Sequence, residues 1–276
     1  MGSHGCECPN VEPDAYTYVP ARCSLPAWDP DRFCRILGGR RLLLIGDSIM
    51  QQAAVVLMNT IALSFLGRAG GCQEQVTMAI SDTLIDTRVR NRGKNWTAYV
   101  RQFRPALVVV NAGPHVAEEA LLRDIVAGVV REHEALLPDT RVVWRSQMGA
   151  GCFWPAPLDA PPNSTFWASY RAQRRTYNYN LLAAFDSIAA RDFPGPNRRF
   201  WDLGPLALRL DGRVGSPPDS PYPGDCTHFC HPGPLDDFVP RIFLQLVQDE
   251  LSPPPPPPPP PATARAAAGV SGRKRR

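Results

Sequence analysis

The stretch Arg41-Leu-Leu-Leu-Ile-Gly-Asp-Ser-Ile-Met-Gln-Gln52 limits the possible folds of this chain more than any other. Four consecutive apolar residues, Leu42 to Ile45, read as a buried strand. Gly46-Asp47-Ser48 interrupts them before a second apolar pattern at Ile49, Ala53, Val56 and Leu57. The order is strand, tight turn, helix. Ser48 then falls at the carboxyl end of a strand and in the first turn of a helix, where free N–H groups and the positive dipole end favour a developing oxyanion. Asp and Ser are also preferred helix N-caps, and a lone Gly-Asp-Ser is more often a cap than a catalytic site. Other segments must decide between the two.

With 276 residues, 44% of them hydrophobic and 20% charged, the chain suits one soluble α/β domain with tails. Part of the net charge of +4 lies in Arg273, Lys274, Arg275 and Arg276, so the remaining body is close to neutral and nucleic acid is not an expected partner. No apolar run approaches the length of a membrane span. Eight cysteines, at 6, 8, 23, 34, 72, 152, 226 and 230, suit disulfides in an oxidising compartment, and Asn95-Trp-Thr and Asn163-Ser-Thr are glycosylation acceptors. These favour a secreted or luminal protein. The N-terminus, Met1-Gly-Ser-His-Gly-Cys, has no signal-peptide core, a conflict that points to a truncated start.

Residues 1–36, interrupted by Pro9, Pro13, Pro20, Pro26 and Pro30, are expected to be an irregular Cys- and Pro-rich wrap around a catalytic domain at 37–251. Val76 to Ile85 and Trp96 to Phe103 read as strand or edge segments. Leu107-Val-Val-Val110 is a second buried strand, ending at the breaker-rich turn Asn111-Ala-Gly-Pro-His115. A helix over 118–137, a strand over 141–144 leading into Arg145, a long amphipathic helix over 165–190, a strand at 200–203 and a closing helix over 236–251 follow. Strands separated by helices predict a three-layer α/β/α sandwich with a mostly parallel sheet, whose sites form at the carboxyl ends of the strands. Ser48, Asn111 and Arg145 all fall there. Nine prolines, Pro253 to Pro261, predict a polyproline II rod of roughly 28 Å in a disordered tail at 252–276. Its Arg-Lys-Arg-Arg end reads as an incidental solvated patch.

The second informative stretch is Asp225-Cys-Thr-His228-Phe-Cys230-His231-Pro-Gly. Read as one helical turn, it lets Asp225 orient one ring nitrogen of His228 while the other serves a hydroxyl, completing a Ser-His-Asp set with Ser48. Serine at its own pKa needs such a base, and the base needs an orienter. The Asn111 amide and the Ser48 N–H are the expected oxyanion donors. Two alternatives use the same residues. Cys226, His228, Cys230 and His231 offer zinc ligands, although the spacing lacks a second ligand pair. A structural turn with disulfide-bonded cysteines is the other.

Gly46-Asp47-Ser48 with Asp225-x-x-His228 resembles the signature pair of the SGNH/GDSL hydrolase superfamily. More narrowly, the chain resembles the trichome birefringence-like polysaccharide O-acetyltransferases, or PC-esterase domains, from about Tyr18 to Phe238. Pro20-Ala-Arg-Cys-Ser-Leu-Pro is similar to that family's segment before the Ser motif, and Leu37-Gly-Gly-Arg-Arg-Leu to its lead-in strand. Asn111-Ala-Gly113 stands where the family has Asn-Thr-Gly, and Arg145-Ser146 with Gly151-Cys152 echoes its central strand and Gly-Gly-x-Cys element. Asp202 with Arg209-Leu-Asp211-Gly-Arg213 resembles its Arg-x-Asp-Gly-His, and Asp225-Cys-Thr-His-Phe-Cys-His-Pro-Gly its Asp-Cys-x-His-Trp-Cys-Leu-Pro-Gly. Phe229, His231, Arg213 and Asp236-Asp-Phe238-Val239 depart from the pattern, so polysaccharide specificity does not carry over.

The resemblance implies an acetyl-Ser48 intermediate, with His228 as base, Asp225 behind it, and Arg145 and Arg209 in a donor or acceptor groove. It implies an acetyl donor of unstated identity, a polysaccharide or oligosaccharide acceptor, no bound cofactor or metal, and a secretory-pathway setting, in the family's case the Golgi lumen. A carbohydrate acetylesterase with the same triad is the nearest alternative. A catalytically idle glycan-binding protein, stacking sugars on Trp28, Trp96, Trp154 and Trp167, is the one from another class.

Overall fold

The structure is a computed structural model that describes residues 24–86, 93–148, 179–204, 206, 213–215, 225–231 and 233–252. Its centre is a five-stranded parallel sheet of β1 (Leu42–Gly46), β2 (Val76–Ile80), β3 (Leu107–Val110), β4 (Arg141–Arg145) and β5 (Arg198–Trp201), in the order β2-β1-β3-β4-β5. The helices are α1 (Pro30–Leu37), α2 (Ser48–Ser64), α3 (Trp96–Phe103), α4 (Glu119–Leu136), α5 (Leu182–Asp192) and α6 (Pro234–Leu251). A short antiparallel pair, β6 (Arg213–Gly215) and β7 (Asp225–Phe229), stands apart from the main sheet.

Alternation along the strands sorts the core into two halves, because successive side chains leave opposite faces of a sheet. Leu42 and Leu44 of β1, with Leu107 and Val109 of β3, pack among residues of α1, α2 and α6. Leu43 and Ile45, with Val108 and Val110, pack among residues of α3, α4 and α5. Both central strands are buried on both faces, which is why they read as continuous apolar runs. The result is the three-layer α/β/α sandwich with a parallel sheet that the alternation of strands and helices predicts.

Several elements differ from the sequence expectation. Trp96–Phe103 is a helix, capped by the Asn95 side chain accepting from Thr97 N–H at 2.9 Å. Its aromatic and β-branched residues suggest a strand, but Trp96, Val100 and Phe103 lie at helical spacing on the core face. Residues 30–36, expected to be irregular, fall in α1: Asp29 caps it, and Pro30 sits at the first helical position, where its missing N–H costs nothing. The long helix expected over 165–190 is described only from 179, as a 3-10 turn at Tyr179–Leu181 followed by α5. Residues 1–23, the stretch 165–178 and the proline tail beyond 252 lie outside the described residues.

Candidate active site

Strand register assembles the site. Extending the pairs Ile45↔Val110 and Val110↔Trp144 by one residue brings Gly46, Asn111 and Arg145 into a row across the carboxyl edge of β1, β3 and β4. In the order β2-β1-β3-β4-β5, the connection after β1 runs to one side of the sheet and the connection after β3 to the other, and the crevice outside that point is where open α/β sheets bind ligands. Ser48 follows β1 and Asn111 follows β3, so the two flank the crevice.

Ser48 is the first residue of α2 and is half-buried. Asp47, almost fully buried, is the N-cap: its Oδ1 accepts from Ile49 N–H at 2.9 Å and Met50 N–H at 3.3 Å. Of the first three helical N–H groups, Asp47 thus takes the second and third, and that of Ser48 is not among them. Asp47 is thus the cap of α2, as Gly-Asp-Ser allows, and the Ser48 N–H is left outside its hydrogen bonds.

Asn111 is fully buried, and its Nδ2 donates to Asp47 Oδ2 at 3.2 Å. Its Oδ1 has no hydrogen-bond partner among the described residues. The amide expected to serve an oxyanion fastens the end of β3 to the turn that precedes α2. Gly46 makes the approach possible, since a Cβ there would lie 2.1 Å from Asn111 Oδ1 and 3.1 Å from Asn111 O. Gly113 allows a similar approach beyond the end of β3, with Gln147 Oε1 2.1 Å from where its Cβ would be and Gln147 Nε2 donating to Ala112 O at 2.8 Å.

Arg145, expected in a groove, is fully buried in the interior. Its Nη1 donates to Ser146 O at 2.9 Å, and Nε and Nη2 have no partner among the described residues. Burial pushes the guanidinium pKa down, against the attraction of Asp47 and then Asp186. Asp186, on α5, accepts from Gln147 N–H at 2.8 Å. Burial pushes its carboxyl up to about 7, against the Gln147 hydrogen bond and the Arg145 charge, with Asp202 adding to the rise. A buried guanidinium at the end of β4 thus feels the charge of two carboxyl groups, one of them with its pKa raised to about 7. Nothing in the sequence marks Asp186, which sits in an ordinary amphipathic stretch.

The Asp225–Phe229 segment is strand β7, not a helical turn. Thr227 and Phe229 are buried and His228 between them is half-buried, the alternation of a strand paired to Arg213–Gly215. The i,i+3 geometry of a helix therefore does not relate Asp225 to His228. The Asp225 and Cys226 side chains and all of Arg209 lie outside the described residues. β7 packs against α2, the helix that begins with Ser48. Tyr179 Oη and Thr227 Oγ1 share a hydrogen bond that ties the strand to the turn before α5.

An imidazole–carboxylate pair stands at the carboxyl edge of the sheet. His115, after β3, has Nε2 3.7 Å from Oδ1 of the buried Asp82, after β2. Cys230 is disulfide-bonded and so cannot supply a thiolate to zinc. Trp96 is wholly buried with Nε1 donating to Glu132 Oε2 at 2.8 Å, and Trp28 packs on Phe33 and donates to Ser64 Oγ at 3.3 Å. Trp96 belongs to the core and Trp28 packs, partly buried, against it, and Trp154 and Trp167 lie outside the described residues. Asn95, in one of the two glycosylation triplets, is occupied as the α3 cap and donates through Nδ2 to Glu132 Oε1 at 3.1 Å.

No protein-family model matches the chain. No curated protein matches it either. Among solved structures, it is similar to the periplasmic domain of a lipopolysaccharide acetyltransferase from Salmonella ser. Paratyphi A, at 15% identity and a TM-score of 0.46 over 76% of this chain and 84% of that one. It is also similar to a family 3 carbohydrate esterase from Clostridium thermocellum, at 9% identity and a TM-score of 0.39 over 77% of this chain and 99% of that one. At these levels neither likeness bears on the chemistry of this chain.

Proposed function

We propose that this chain is a serine acyltransferase that moves an acetyl group onto a carbohydrate hydroxyl through an acetyl-Ser48 intermediate. The observation that carries the reading is the position of Ser48: first residue of α2, its neighbours' N–H groups taken by Asp47, at the point where the connections turn from one side of the sheet to the other. The acetyl group and the carbohydrate acceptor come from the sequence resemblance.

In the first step Ser48 Oγ attacks the donor carbonyl carbon as its proton passes to His228. The carbonyl oxygen becomes an oxyanion that accepts from the Ser48 N–H and the second hydrogen of the Asn111 amide in this reading. Collapse expels the donor's leaving group, which takes the proton from His228 and leaves acetyl-Ser48. In the second step a sugar hydroxyl gives its proton to His228 and attacks the acetyl carbon. Ser48 departs and regains the proton. Asp225 is the proposed orienter of His228. Water as acceptor turns the same steps into ester hydrolysis, and exclusion of water decides between the two outcomes. The disulfide between Cys34 and Cys72 supports folding in an oxidising compartment, as a luminal acetyltransferase requires.

Incubation with an acetyl donor and a panel of oligosaccharides is expected to yield acetylated sugar, and Ser48→Ala to abolish it. Release of acetate with no acetylated sugar would replace the transferase by an esterase. Unchanged activity in Ser48→Ala would remove both.

A further inference from the structure

Gln52 lies one helical turn beyond Ser48 on α2, so the two side chains leave the same face of the helix. Its amide is engaged at both ends by the main chain of a single distant residue. Phe229 N–H donates to Gln52 Oε1 at 3.0 Å, and Gln52 Nε2 donates to Phe229 O at 3.0 Å. The side chain imitates a neighbouring strand, pairing with β7 at the residue that follows His228. Two bonds on one residue's backbone fix orientation as well as distance, which a single bond or an apolar contact does not.

A third group fixes which end of the amide is which. Gln52 Nε2 also lies 3.2 Å from His231 Nε2, and His231 Nδ1 lies 3.2 Å from Asp236 Oδ2 at the start of α6. An amide NH2 only donates, so His231 Nε2 accepts and its proton resides on Nδ1, where Asp236 receives it. Asp236 is in turn held by the Gly233 N–H at 2.7 Å. The chain of donors and acceptors runs unbroken from the α6 cap through His231 and Gln52 to the backbone beside His228. His231, where the resembling family has Leu, thereby acquires a role.

We infer that Gln52 is a positioning residue that holds the His228 strand against the helix of Ser48, with His231 and Asp236 locking the orientation of its amide. The inference rests on the reading of Ser48 and His228 as nucleophile and base. Displacement of a catalytic group by about 1 Å is enough to cost on the order of 100-fold in rate.

Hydrolysis of 4-nitrophenyl acetate by the full chain tests it, with Gln52→Met matching the length of the side chain but making neither amide bond. The expected result is a kcat lowered about 10- to 100-fold with KM within twofold of the parent. In a His228→Ala background the same substitution is expected to lower the residual rate less than twofold, because Gln52 acts through His228. Gln52→Glu keeps the bond from Phe229 N–H and loses the donor to Phe229 O. It serves should the methionine variant fail to fold, with at least a 10-fold loss of kcat expected. Equal losses from Gln52→Met with and without His228, or a parental kcat in a folded Gln52 variant, would overturn the inference. Full activity in Ser48→Ala would instead overturn the reading of the nucleophile, whatever Gln52 does.

Discussion

Asp47 illustrates how much of this site hangs on single side chains. One carboxylate caps α2 through Oδ1 and holds the Asn111 amide through Oδ2, so it fixes both walls of the crevice at once. The neighbouring Gly46 is fixed by space rather than by backbone conformation. Gly46→Ala puts a methyl against the buried Asn111 amide, and overpacking of this kind costs about 1–3 kcal/mol. We expect a lower melting temperature together with loss of activity, since the amide that must move is the proposed oxyanion donor; a Gly46→Ala protein of parental stability and activity would contradict the packing described here. Asp186 supplies a pH dependence whose sign can be worked out. Its folded pKa, about 7, lies above the ordinary carboxylate value, so the folded state retains a proton that the unfolded chain has released. The stabilising contribution is full below the unfolded value near 3.8 and is lost as pH rises through about 7. Denaturant unfolding should therefore show stability falling between about pH 4 and pH 7 by an amount on the order of a few kcal/mol. Asp186→Asn should flatten that profile and raise stability at pH 8, and an unchanged slope would refute the assignment.

Among the elements, those whose apolar pattern is long and one-sided, or continuous, were legible from the residues alone. β1 and β3 are buried on both faces and could hardly be anything but central strands. α3 and β7 were not legible, for opposite reasons. The residues of α3 favour a strand locally, and its Asn95 cap and the core packing of Trp96 prevail. Asp225–Phe229 is extended because Arg213–Gly215 pairs with it, a contact that no local pattern announces. Within the site, the Asp47 cap could be read from Gly-Asp-Ser, and Gln52 stood in plain view at i+4 from Ser48. That its partner is the backbone of Phe229 is a fact of three dimensions only. The Cys34–Cys72 disulfide belongs to this scale as well, joining α1 to the segment before β2 across a separation of 38 residues and so enclosing β1 and α2. Closure of a loop that long is worth about 4 kcal/mol in the chain-entropy account. Replacing both cysteines by serine should lower the unfolding free energy by about 2–4 kcal/mol, measured by denaturant titration, while activity survives in the folded fraction, because the α2 start is held by Asp47 and not by the disulfide. A change below about 0.5 kcal/mol would mean that the loop is already closed without it.

At the scale of the molecule, the sheet order decides where chemistry can occur. Among the described strands, only between β1 and β3 do the connections leave in opposite directions, and the residues that follow those two strands are Asp47-Ser48 and Asn111-Ala112. α2 then carries the crevice outward to β7 and, through His231 and Asp236, to α6, so the first and last thirds of the chain meet at one edge. The central claim is that Ser48 is the nucleophile at this edge. The most direct test is mass spectrometry of the intact protein and its peptides after brief exposure to an activated acetyl ester. The account predicts an added acetyl group on the peptide containing Ser48, located on Ser48 itself, absent from Ser48→Ala and discharged when an acceptor sugar is added. Acetylation at other residues with none on Ser48, under conditions where the protein turns over the ester, would contradict it.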